Sequence, residues 1–92
     1  MREADIQKKI TDYIEGLGGY VVKVIKASKA GTPDLVACID GMFYGFEVKT
    51  PTGKASKLQE YHLKKIAQSG GISSIVRSVE DIKEIMGPSV ES

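Results

Sequence analysis

Several residue types are nearly missing from this 92-residue chain, which has one cysteine, one histidine, three prolines and no tryptophan. Cys38 alone closes no intrachain disulfide, and Cys38 with His62 falls short of the four Cys/His ligands of a structural zinc. Any bound metal must therefore rest mainly on oxygen ligands, the chemistry of Mg2+ or Mn2+. No uncharged apolar run approaches the roughly 18 residues of a membrane span. Glu3 and Asp5 stand where a secretory leader is basic. These features predict a cytoplasmic, reducing compartment. The length accommodates one domain, expected over residues 1–87, with 88–92 as a frayed tail. A core this small gains from association, so a homodimer is expected.

What is present is unevenly spread. The net charge of +1 conceals a segment, 21–65, that holds eight lysines against four acidic side chains. That excess of +4 lies between two slightly acidic ends and marks where a polyanion would bind, although scattered lysines also simply solvate a surface.

Apolar periodicity and glycine punctuation divide the chain into seven elements. Ile6, Ile10, Tyr13, Ile14 and Leu17 recur at helical spacing, and Gly18-Gly19 stops the helix. The β-branched run at 20–25 predicts a strand. Asp40-Gly41 between apolar runs predicts a two-residue hairpin turn joining strands at 35–39 and 42–49. Ser56-x-x-Gln59 is a capping box opening a second helix, whose inner side is expected to be Leu58, Tyr61, His62, Ile66 and Ala67. A fourth strand at 72–77 and a short helix from Ser78, closed by Gly87-Pro88, complete the chain. The fold class is therefore α/β, an α-β-β-β-α-β order plus a C-terminal helix. Strands three and four, joined through a helix, should be parallel in a mixed sheet flanked by helices.

The hairpin register carries the functional inference. A turn at Asp40-Gly41 pairs Ile39 with Met42 and sets Asp34 opposite Glu47 on one face. Two opposed carboxylates repel, and a divalent cation between them is the natural remedy. Lys49 shares that face, while Leu35, Ala37, Tyr44, Phe46 and Val48 point to the other. Carboxylates that hold a cation beside an ammonium suit phosphodiester hydrolysis. Glu47-Val48-Lys49 alone reads as an ordinary strand end. Gly31-Thr32-Pro33-Asp34 upstream, the opposed register and the surrounding lysines favour the catalytic reading.

Pro33-Asp34 followed by Glu47-Val48-Lys49 across a hairpin resembles the PD-(D/E)XK nuclease superfamily, whose restriction-endonuclease-like core has the same element order. More narrowly, the chain resembles a stand-alone VRR-NUC domain, the virus-type replication and repair nuclease module. Glu3-x-x-Ile6-Gln7, Gly31-x-Pro33-Asp34, Phe46-Glu47-Val48-Lys49 and Ser56-x-x-Gln59 carry the likeness over residues 2–76. The resemblance implies a bacterial or phage-encoded nuclease dependent on Mg2+ or Mn2+. Free-standing members are similar to homodimeric Holliday-junction resolvases, which implies branched DNA as substrate and roles in repair or recombination. It assigns the metal to Asp34, Glu47, the Val48 carbonyl and Glu3, and catalysis to Lys49 with Gln59 in support. Glu3 equally suits the helix dipole, with Asp5 as a neighbouring competitor, and Gln59 equally suits the capping box. Lys26, Lys29, Lys54 and Lys57 flank the motif and are expected to contact DNA phosphates. Cys38 and His62 are expected to be packed side chains. The competing readings are a nucleic-acid-binding module without catalysis, an interaction domain, and a sequence-reading restriction-type nuclease.

Overall fold

A computed structural model describes residues 1–87 and has the expected element order. It comprises α1 (Glu3–Gly16), β1 (Tyr20–Lys23), β2 (Leu35–Ile39), β3 (Met42–Val48), α2 (Lys57–Gln68), β4 (Ile72–Val76) and α3 (Val79–Met86). The expected tail at 88–92 and the helix-closing Pro88 lie outside the described residues. The four strands form one sheet in the order β1-β2-β3-β4. The first two pairings are antiparallel and β3 runs parallel to β4, as a β3–α2–β4 crossover requires.

The hairpin turn forms as the Asp-Gly pair dictates. Asp40 and Gly41 both take positive φ, 51° and 79°, and an unbroken ladder runs from Ile39–Met42 to Leu35–Phe46. Period two then sorts the hairpin into two faces. Leu35, Ala37, Tyr44, Phe46 and Val48 are buried in a cluster with Ile6, Ile10 and Ile14 of α1 and Ile82 of α3. Tyr44 and Phe46 stack there with ring centroids 5.6 Å apart. Both rings belong to the core, as the alternation predicts.

The opposite face is covered by α2 over β3 and β4 alone. Gly45 makes this approach possible, because a Cβ at that position would lie only 2.6 Å from Ile66 Cδ1. Three expectations change here. The inner side of α2 is Gln59, His62, Leu63 and Ile66, whereas Leu58, Tyr61 and Ala67 are exposed. Hydrophobicity alone misplaced the helix because a glutamine occupies an inward position against a polar partner. Cys38 is exposed rather than packed, since α2 leaves the outer face of β1 and β2 bare. Finally, β1 ends at Lys23 instead of Ile25, which is 89% exposed. Its antiparallel neighbour begins at Leu35, and the pairing ends just beyond Lys23 with the Val24 N–H donating to the Asp34 carbonyl.

Candidate active site

Asp34 sits in the bend one residue before β2, between buried Pro33 and buried Leu35. Its backbone carbonyl accepts from the Val24 N–H at 2.8 Å, and its Oδ2 accepts from the Val48 N–H at 2.8 Å. The side chain thus reaches across the end of the hairpin to β3. A strand residue directs its N–H and C=O toward the same neighbour, so the Val48 carbonyl faces the Asp34 side as well.

Glu47 lies on the face beneath α2 and is only 1% exposed. Its Oε2 accepts from Gln59 Nε2 at 3.0 Å and stands 3.6 Å from Lys49 Nζ. Oε1 is buried, and among the described residues no donor reaches it. Burial pushes the Glu47 carboxyl up to about 8, helped by a hydrogen bond to Asp34 and by repulsion from its charge, against the opposing pull of Lys49. Ionised, both carboxylates only accept, so a hydrogen bond between Glu47 and Asp34 needs a proton shared between them. Burial and the neighbouring Asp34 charge both favour the neutral form of this carboxyl.

Lys49 follows the last residue of β3, and its N–H donates to the Val76 carbonyl at 3.0 Å, continuing the parallel pairing. Its backbone is fixed by the sheet and its ammonium is mostly enclosed beside Glu47, with the side chain 14% exposed.

Gln59 performs two tasks at once. Its Oε1 accepts from the Ser56 N–H at 2.8 Å while its own N–H donates to Ser56 Oγ at 3.1 Å, completing the capping box. With Oε1 committed to the cap, the amide must aim Nε2 at Glu47. The cap therefore orients the donor, and the capping box and the contact with Glu47 belong to one geometry.

Asp34, Glu47 and the Val48 carbonyl form an all-oxygen donor set, and the orphaned Glu47 Oε1 is a ready ligand atom. Both features fit a hard divalent cation. Glu3 is half-buried at the start of α1, in the layer on the other face of the sheet from Glu47. Among the described residues no three His, Cys, Asp or Glu side chains gather into one group. Asp5 caps the same helix by accepting from the Arg2 N–H at 3.2 Å. Lys26, Lys29, Lys54 and Lys57 are all exposed, the first two on the loop entering Asp34, the others around the start of α2.

Sequence reasoning missed Arg77. Its Nη1 donates to the Gly53 carbonyl at 2.7 Å and to the Thr50 carbonyl, tying down the loop that leaves Lys49. The available signal was an arginine at the end of the strand expected over 72–77, one residue beyond β4. It also gave no role to Gln7, whose Oε1 is buried without a partner among the described residues.

A family model for the archaeal Holliday junction resolvase (Hjc) matches residues 2–74, four-fifths of the chain. The chain belongs to this family. One solved structure described as a "VRR_NUC domain" superposes with a TM-score of 0.79 at 26% identity, covering 91% of this chain and 92% of that one. A second, a "VRR_NUC domain protein", has a TM-score of 0.74 at 16% identity over 94% of this chain and 85% of that one, a likeness of fold. No curated protein matches the chain. The resolvase-family assignment and the VRR-NUC architecture agree with the likeness read from Pro33-Asp34 and Glu47-Val48-Lys49. The protein is a Holliday-junction-resolvase-like nuclease domain.

Proposed function

We propose that this resolvase-family domain is a divalent-metal-dependent endonuclease that hydrolyses DNA phosphodiesters, with branched structures such as Holliday junctions as its substrates. The observation that carries the reading is the pairing of Asp34 with buried Glu47, whose Oε1 has no donor among the described residues, beside the Lys49 ammonium 3.6 Å from Oε2. Asp34, Glu47 and the Val48 carbonyl would hold Mg2+ or Mn2+. The bound ion would supply Lewis acidity toward the phosphate and make water more acidic. Lys49 places positive charge where negative charge grows on the phosphate oxygens. Gln59 keeps Glu47 turned toward Asp34, and Arg77 steadies the loop beyond Lys49. Lys26, Lys29, Lys54 and Lys57 hold the DNA backbone, so binding weakens as salt rises.

The expected partner for association is a second copy of the chain. The outer face of β1, β2 and the start of β3 presents Tyr20 (70% exposed), Phe43 (46% exposed), Val22 and Cys38, an apolar surface that α2 leaves uncovered. Covering it in a two-fold dimer adds buried area to a small core and sets two sites against a two-fold substrate. Among the described residues no helix is long and apolar enough to cross a membrane.

The test incubates wild-type protein with labelled four-way junction, splayed arms, single strand and matched duplex in Mg2+, Mn2+ or EDTA. Cleavage of the junction in either metal and none in EDTA is expected. Binding without cleavage in any metal would contradict the enzymatic reading and leave a nucleic-acid-binding module.

A further inference from the structure

The loop that delivers Asp34 rests on α2. Gly31 takes φ +86°, and a Cβ there would lie 2.7 Å from Leu58 Cγ and 3.1 Å from His62 Cδ2. Thr32 Oγ1 donates to the Lys29 carbonyl at 2.8 Å and fixes the turn above it. Between this loop and the helix lies an open cleft of about 460 Å³ lined by Lys29, Leu58, Tyr61, His62 and Lys65. Tyr61 is 54% exposed although it is aromatic, and its ring meets His62 edge-on with centroids 5.6 Å apart. A second cleft of about 620 Å³ shares His62 and Lys65 and continues along α2 to the turn at Gly70-Gly71. Among the described residues no acidic side chain lines either cleft.

A flat exposed ring between two lysines, in a groove without carboxylates, has the chemistry of a single-stranded nucleic-acid track. The bases stack on the aromatic ring and the phosphates meet the ammonium groups. The walls are also the two segments that build the active site, since Asp34 ends the loop and Gln59 precedes Tyr61 by two positions on α2.

We propose that the cleft between the Lys29 loop and α2 binds an unpaired DNA strand, with Tyr61 stacking on a base and Lys29 and Lys65 on the flanking phosphates. The proposal rests on DNA being the substrate of the adjacent site and names what that site would select, a break in duplex pairing.

The test measures binding of a fluorescent oligothymidylate and of a blunt hairpin duplex by anisotropy in EDTA, where no cleavage is expected. Wild type, Tyr61→Ala and Tyr61→Phe are compared. Tyr61→Ala should weaken single-strand binding by about tenfold, the scale of one lost stacking contact. Duplex binding should change less than about twofold, and Tyr61→Phe should retain single-strand affinity. Quenching of 2-aminopurine in the oligonucleotide by wild type, and its loss in Tyr61→Ala, reports stacking directly. Equal loss on single strand and duplex, or single-strand affinity unchanged by Tyr61→Ala, would overturn the proposal. Cleavage of the junction by wild type in Mn2+ is scored separately. Its absence counts against the nuclease reading, whereas its presence with an inert Tyr61 counts against the track.

Discussion

At the scale of single residues, Glu47 concentrates the chemistry. A carboxyl pushed up to about 8 by burial, against an ordinary 4.5, binds a proton in the folded chain that the unfolded chain has lost. Its contribution to stability is therefore complete below pH 4.5 and is lost as pH rises through that window to about 8. Metal-free protein should show a falling thermal midpoint from pH 5 to 8, and saturating Mn2+ should reverse the fall. Glu47→Gln should flatten the slope, raise the metal-free midpoint at pH 8 and abolish cleavage. A midpoint that rises with pH in metal-free wild type would contradict this picture. Gln59 allows a finer separation. Gln59→Glu keeps a reciprocal acceptor for the Ser56 N–H but removes the amide donor to Glu47 and adds a like charge. It should lower the cleavage rate by at least about tenfold while the helical circular dichroism is retained; unchanged cleavage would reduce Gln59 to a cap. Lys49→Ala should cost about 10²–10³ in kcat, the usual loss for one preorganised donor.

At the scale of elements, the site depends on how closely α2 approaches β3. Gly45 permits the contact with Ile66, so Gly45→Ala should destabilise the fold by about 1–3 kcal/mol, read as a lower denaturation midpoint in urea. Ser56→Ala should cost about 1 kcal/mol through the lost cap and should also reduce cleavage, because the cap aims Gln59 at Glu47. Much of this architecture was legible in the sequence. Asp40-Gly41 alone set the hairpin register, and the register brought Asp34, Glu47 and Lys49 to one end of one face. Helix faces were less legible. Apolar content favoured Leu58 and Tyr61 as the inner side of α2, whereas the polar partner of Gln59 rotates those residues outward. The end of β1 was equally hidden, because it depends on where its neighbour β2 begins. Arg77 was invisible for a related reason, since its acceptors are backbone carbonyls that become neighbours only when β4 lies beside β3.

At the scale of the molecule, one helix covers half of a sheet face, and the rest lies bare in the described residues. If Tyr20, Val22, Cys38 and Phe43 meet a second copy, sedimentation should give twice the 10.0 kDa chain mass. Cys38 should then react more slowly with a thiol reagent as protein concentration rises. A 10.0 kDa species with intact cleavage would contradict the dimer. The central claim is that Asp34 and Glu47 together hold the cation on which DNA cleavage depends. The most direct test is the rate at which Asp34→Asn cuts a labelled four-way junction in saturating Mn2+, relative to wild type, with both proteins shown to be folded. The predicted result is cleavage by wild type in Mn2+, none in EDTA, and none detectable by the variant; comparable cleavage by Asp34→Asn, or by wild type in EDTA, would contradict it.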